Sequence, residues 1–387
     1  MSEIAPTSDA LFESGPFPNF QKALGLFRPV GFNVARRAEV CVAIGWLPLV
    51  LLVLVQFGNN DAILYSFLTD FGVHGRSLLA APLFVLAEKV CLKSLDKIAH
   101  HFVEAGLIDG NDRLRFNAAV VSTRKLMNSL VAEIICIGGV YVLVIALVRY
   151  VSPAIFPEWC FNAGRISWAG WWSWLVSMPL LLVLFFGWLW RILLWGRFLT
   201  IVSRLKLRLI AAHPDHAAGL RFLNSALFAF MPFAFTLGII TAGPIANRVL
   251  HQSASIDNVK MTILGLVIVV LVLVAGPLLV FIKNLHHEKV TGTLEYGLLA
   301  QNVGRDFESK WLEHYEKYGD GALEATDFSA TTDLYGIAAN VNELNLVPFT
   351  LRSLASLVIV TLLPFVPVLL MMIPLKVILD EAASLLF

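Results

Sequence analysis

Histidine and carboxylate side chains cluster in three separate stretches of the chain: His100-His101, His213-Pro214-Asp215-His216 and His286-His287-Glu288. Imidazole and carboxylate ligands brought together from different helices suit zinc, iron or manganese, and helical bundles build metal sites in this way. One expectation is therefore a metal or proton-sensing site drawing on His213, Asp215, His216, His286, His287, Glu288, His100 and His101. The competing expectation is structural. His100-His101 and His286-His287 then lie on solvated helix faces, and the histidine-proline-aspartate-histidine run is a tight corner between two helices. Pro214 disfavours helical geometry at His213. Asp215 can cap the following helix, whose first backbone N–H groups lack partners. No HEXXH and no dedicated zinc spacing occurs, and no pattern names a cofactor.

A second group of residues is set apart by depth. Glu88, Glu133, Arg191 and Arg197 fall inside or at the ends of apolar runs. Charges so placed snorkel or pair, and they are functional candidates by default. On a helix continued past Arg197, a turn of about 100° per residue puts Arg197, Arg204 and Arg208 on one face. A voltage sensor needs a cation at every third position through a span, and this pattern is absent. Around a pore, Arg191 and Arg197 favour anions at its inner mouth. Pro232, Pro364 and Pro367 interrupt apolar runs, and broken helices line solute pathways in membrane proteins. The candidates for pathway or gating are thus Glu133, Arg191, Arg197, Pro232, Pro364 and Pro367. There is no phosphate-binding GxxxxGK[ST], no convincing GxSxG and no CxxC, and the GDGALEATD stretch lacks calcium-loop spacing. No nucleophile-plus-base set stands out, so an enzyme is not the expected reading and no catalytic residue is assigned.

The elements that must position these residues are membrane spans. Of 387 residues, 58% are apolar and 15% charged, which lies outside the usual range for soluble domains. A net charge of +1 gives no field for nucleic acid. The four scattered cysteines make no disulfide framework, and the first span serves as the targeting signal. A span takes about 20 mainly apolar residues. Seven runs qualify: 40–57, 77–92, 130–148, 171–194, 220–242, 261–282 and 353–377.

The expected organisation is an N-terminal cytoplasmic or interfacial segment, 1–35, whose FQKALGLFRPVGF stretch suits a short interfacial helix. A six-span membrane domain, 36–282, follows, with a helical hairpin projecting at 89–128. Next come a cytoplasmic helical segment, 283–352, and a seventh, proline-kinked span with a short tail, 353–387. Arginine and lysine concentrate before span one and between spans two and three, four and five, and six and seven. The opposite loops hold only Arg76, Arg149, Arg165, Arg248 and Lys260. The positive-inside rule places the N-terminus in the cytoplasm.

The AHPDHAAGL stretch, followed by a phenylalanine-rich span, resembles a THPDxAGGL motif of uncharacterised bacterial polytopic membrane proteins. Ala212 stands for the threonine and Ala218 for a glycine, and LLPFVPVLL near the C-terminus is similar to their proline-rich last span. The resemblance covers roughly residues 205–245 and 340–375 and implies a bacterial inner (plasma) membrane location, but no activity.

The fold class expected is all-α: a polytopic membrane protein of about seven transmembrane helices, with a helical cytoplasmic layer and a cytoplasmic N-terminus. The function expected is an integral membrane channel or transporter for a small ion or solute, favouring anions. The alternative is a membrane sensor or assembly component that binds a metal or protein partner through its cytoplasmic layer. The expected partners are the lipid bilayer and a small ion or solute, together with a second copy of the chain and no nucleic acid.

Overall fold

A computed structural model describes residues 34–150, 156–162, 164–252, 256–313 and 326–372. The expected interfacial helix before Val34, most of the glycine- and aspartate-rich loop and the tail beyond Met372 lie outside these residues.

The protein is built from helices; its one sheet among the described residues is the two-residue pairing of β1 (Phe161–Asn162) with β2 (Arg165–Ile166). The first apolar run forms α1 (Val34–Gly45) and α2 (Leu47–Phe57), which meet at Trp46 just before Pro48. After α3 (Asp61–Leu68), a short helix Phe71–His74 and a π-helical segment Gly75–Ala80 lead without interruption into α4 (Ala81–Glu104). Helices α5 (Arg113–Met127) and α6 (Leu130–Tyr150) follow. A second π-helical segment, Ser173–Ser177, opens into α7 (Met178–Ser203). Helix α8 (Met231–Gln252) starts after a break at Phe230, where Pro232 ends the preceding turn. Helix α9 (Ile256–Ala275) runs through a 3-10 segment, Gly276–Phe281, into the long α10 (Ile282–Trp311), against which α11 (Thr326–Asn342) folds back.

The last run is broken as its prolines require. Helix α12 (Leu351–Leu362) gives way to a 3-10 turn at Leu363–Phe365, around Pro364, before α13 (Val366–Met372). Its start is capped by Thr350, whose hydroxyl accepts the Ser353 N–H at 3.1 Å.

Among the described residues, six helices are long and apolar enough to cross a membrane: Val34–Phe57, Leu130–Tyr150, Trp168–Ser203, Arg221–His251, Val259–Trp311 and Leu351–Met372. The run 77–92 is not among them, because it shares its helix with Arg76, Glu88, Lys89 and Lys93. The spans turn apolar side chains outward as well as inward: Val55, Ile135, Val142 and Val272 are all exposed. In water such a surface would drive aggregation. Against lipid tails it costs nothing, while the intrahelical hydrogen bonds keep the backbone satisfied.

The core is aromatic and lies where α4, α7 and α8 meet. Trp188 packs on Phe233 at 5.4 Å and Phe84 on Phe233 at 5.9 Å, while the Trp188 indole N–H donates to the Phe84 carbonyl at 3.1 Å. All three side chains are removed from solvent. Large rings bury much area with few torsions to restrict, and the indole's one polar atom is satisfied. Close approach of the helices depends on glycine. A Cβ on Gly238 would stand 2.3 Å from the Thr361 carbonyl oxygen and 2.9 Å from Pro364. Pro364 thus marks both the break in the last run and its seam with α8.

Candidate functional site

The aromatic core surrounds a charge. Glu88 of α4 is wholly buried. Its Oε2 accepts a hydrogen bond from Arg37 Nη1 of α1 at 2.9 Å, and Arg191 Nη2 of α7 lies 3.6 Å from its Oε1. Arg37 and Arg191 are buried too, at 7% and 2% exposure. The Arg191 guanidinium also sits over the Trp188 ring, 5.2 Å from its centroid, so part of its charge meets the negative face of the indole. Among the described residues, the Arg191 Nε, Nη1 and Nη2 atoms have no hydrogen-bond partner, and neither does Glu88 Oε1. A buried ion pair is stable only when its geometry offsets the desolvation of both charges. Here Arg37 meets that condition and Arg191 does not, which leaves Arg191 the less satisfied member of the triad.

Arg191 also reaches a cavity of about 10 Å³, room for a single water-sized molecule, walled by Ser129, Glu133, Gly187 and Trp190 among others. Glu133 is 2% exposed. Four helices therefore supply one buried series of charges: Arg37 from α1, Glu88 from α4, Arg191 from α7 and Glu133 from α6. Two of the expected pathway residues, Glu133 and Arg191, share this cavity.

The other pathway candidates are placed elsewhere. Arg197 donates to the hydroxyls of Ser122, at 2.8 Å, and Thr123, at 3.4 Å, and so pins α7 to α5. Pro232 begins α8, and its carbonyl accepts the Thr236 hydroxyl at 2.8 Å. Pro364 packs on Gly238, whereas Pro367 is exposed on α13.

The shared basic face expected of Arg197, Arg204 and Arg208 does not form. Helix α7 ends at Ser203, and the Arg204 N–H turns back to the Ile201 carbonyl at 3.2 Å. The chain then runs irregularly to Leu220, because partners distant in sequence capture its backbone. Lys206 N–H donates to Asp112 Oδ2 at 2.9 Å and Arg208 N–H to the Leu107 carbonyl at 2.8 Å. The histidine-rich run is consequently a loop and not a tight helix–helix corner.

Asp215 organises that loop; it is not the residue at the N-terminal cap of the following turn, which is Leu220, and only one of its bonds reaches that turn. One carboxylate oxygen accepts the N–H groups of Ala217 at 2.8 Å and Gly219 at 3.1 Å; the other accepts that of Arg221 at 3.0 Å, at the start of the 3-10 turn Arg221–Asn224. His213 Nδ1 lies 2.8 Å from the same carboxylate. Burial pushes the Asp215 carboxyl up, but these donors outweigh it, and its pKa falls below the ordinary 3.8. His216 and Ala218 take left-handed backbone conformations, at φ 52° and 54°. The His216 carbonyl accepts the Asn345 N–H at 2.9 Å, tying the loop to the segment after α11.

The histidine clusters stay apart. His100 is exposed on α4, and His101 packs on Phe222 with ring centroids 4.4 Å apart. His286, His287 and Glu288 sit on α10, and His216 Nδ1 lies 3.7 Å from Glu343. Among the described residues, no three His, Cys, Asp or Glu side chains are grouped to hold a metal ion.

Arg37 is the site residue that sequence reasoning missed, since it reads there only as one of the cations before the first span. Its one signal is position: it begins an apolar run. A second missed centre is Asp70, buried at the start of Phe71–His74. It accepts hydrogen bonds from Val73 N–H at 3.0 Å, Asn247 Nδ2 at 2.7 Å and Trp159 Nε1 at 3.0 Å. Nearby, Arg76 of one π-helical segment reaches Ser173 of the other at 3.4 Å.

No family of known proteins, no curated protein and no solved structure matches the chain.

Proposed function

We propose that this protein is a multi-pass membrane channel or transporter for a small ion or solute, and that it favours anions. The observation that carries the reading is the buried Arg37–Glu88–Arg191 triad, continued by the cavity to Glu133. Charges held at such depth are expensive, and in membrane proteins they mark ion and solute routes. Arg191, the less satisfied member of the triad, faces the cavity, and its incompletely paired guanidinium suits a passing anion. The reading takes the run 77–92 as a seventh span, the N-terminus as cytoplasmic and the membrane as the inner membrane of a bacterium. It takes the protein as a homo-oligomer. The distribution of lysine and arginine supports the orientation.

The test is flux through the purified protein in liposomes. Chloride efflux that exceeds potassium efflux, and that Arg191→Met or Glu88→Gln abolishes, supports the proposal. A flat trace for all ions tried overturns it.

A second reading, a sensor or assembly component, is favoured by one observation. Val290, Leu294 and Leu298 form an exposed apolar row four residues apart on α10, beyond the apolar part of that helix. A protein partner covering this row predicts co-purification that Leu294→Lys disrupts while flux stays absent.

A further inference from the structure

The end of α7 and the start of α10 enclose an open groove of about 690 Å³, which shares no lining residue with the cavity beside Arg191. Three cationic side chains line it: Arg204 and Lys206, just past the end of α7, and Lys283, at the start of α10. All three are exposed, and among the described residues none forms an ion pair or a side-chain hydrogen bond. That sets them apart from the cations around them. Arg208 pairs with Asp109 at 2.9 Å, Arg197 is bonded to Ser122, Arg221 Nε donates to the Asp215 carbonyl at 2.9 Å, and Lys289 donates to the Leu344 carbonyl at 2.8 Å. Glu288 contributes the one carboxylate in the groove.

The rest of the lining is divided. Thr200, Ser203 and Asn284 form a polar side, with Asn284 Nδ2 donating to the Ser203 carbonyl at 3.1 Å. Leu205, Leu209 and Val280 form an apolar side. The groove lies where the apolar run ending at Phe281 and Ile282 passes into Lys283, Asn284 and the polar part of α10, at the depth of lipid headgroups. Along the apolar stretch just before it, Val272 and Leu279 are exposed and open to acyl chains. A free inorganic anion has no use for the apolar side; a phosphodiester attached to acyl chains uses both.

We propose that the groove between the ends of α7 and α10, with Arg204, Lys206 and Lys283 on its walls, holds the phosphate headgroup of an anionic phospholipid. The cations meet the phosphate as point charges and as a fork, and Leu205, Leu209 and Val280 receive the first methylenes of the chains. This is a bound lipid at a defined position, distinct from a general attraction of the basic surface to the bilayer.

The test uses the full-length protein in nanodiscs of phosphatidylcholine mixed with phosphatidylglycerol, with retained lipid counted by native mass spectrometry. Wild type retains phosphatidylglycerol in preference to phosphatidylcholine. Arg204→Gln and Lys283→Gln each reduce the preference roughly fivefold, the effect of about one cation near an anionic surface. Lys283→Arg keeps it. Arg208→Gln removes the same charge outside the groove and leaves the preference intact. An equal loss in Arg208→Gln overturns the defined site in favour of general surface attraction. Displacement of the lipid by inorganic phosphate at equal concentration overturns the lipid as its occupant. All three substituted side chains are exposed, and an unchanged elution volume for each of the four variants confirms that the fold persists.

Discussion

Glu88 and Arg191 face each other across the centre of the protein, 3.6 Å apart, on helices that begin and end in different loops. Arg37 reaches the other oxygen of the same carboxylate. One carboxylate therefore serves two guanidinium groups away from water, and the three residues are unequal in what their loss costs. Glu88→Gln strands both arginines, and breaking a buried pair by removing one partner typically costs about 3–5 kcal/mol. Arg191→Met leaves the 2.9 Å bond from Arg37 in place. Thermal unfolding in detergent should show a clearly larger fall in Tm for Glu88→Gln than for Arg191→Met. Equal falls would mean that Arg37 contributes nothing to holding the carboxylate.

Gly238 and Gly265 make a matched pair of tests. A side chain on Gly238 collides with the Thr361 carbonyl, whereas at Gly265 there is nothing within 4 Å. Gly238→Ala should destabilise by at least about 1–3 kcal/mol through overpacking. Gly265→Ala, in the interior of α9, should be neutral or stabilising by up to about 1 kcal/mol. Tm values measured side by side decide the matter, and a neutral Gly238→Ala would deny the seam between α8 and α12.

Ala218 holds a positive φ of 54° and is fully buried. A glycine here relieves a left-handed strain of roughly 1–2 kcal/mol and gives up one buried methyl, worth roughly 0.8 kcal/mol. The remainder is offset by the greater freedom of glycine in the unfolded chain, about 0.4–1 kcal/mol, so Ala218→Gly should leave Tm almost unchanged. Ala218→Val places a β-branched side chain in that conformation and should lower Tm sharply. A tolerated valine would show that the loop is not held as described.

The Asp215 carboxyl has a lower pKa folded than unfolded, so its contribution is present above the unfolded value and is lost as pH falls through the folded one. Asp215→Asn should unfold at lower temperature than wild type near neutral pH. The gap should persist down to the ordinary carboxylate pKa of 3.8 and close only below it. Tm measured over a pH series checks this; a gap constant at all pH values would show that the charge of Asp215 is irrelevant to the loop.

Much of the site was visible in the sequence as isolated members and not as a site. Glu88, Glu133 and Arg191 stand out because charge is rare in apolar runs, and Asp215 because a carboxylate after His-Pro suits the start of a helix. Their partners were not visible. Arg37 lies 51 residues from Glu88 in the chain, and its place at the start of an apolar run is shared almost equally by Arg36, which is exposed. The stretch after Ser203 has helical composition, yet it is held extended by Asp112 and the Leu107 carbonyl. Local propensity cannot anticipate hydrogen bonds from a distant loop.

By itself the sequence determined the solvent of this protein. A run of some 20 apolar residues has no stable place in water, and a helix is the form in which it satisfies its backbone in lipid. The all-helical class, six of the seven expected spans and the break at Pro364 follow from that local requirement. Tertiary structure alone decided which charges meet, where α7 stops and which cations remain unpaired around the groove. Those outcomes depend on helix packing, and helix packing is set by shape: Gly238 against Thr361, Trp188 against Phe233. Lipid tails and apolar side chains attract one another about equally, so fit between surfaces, and not hydrophobicity, selects the neighbours within a membrane.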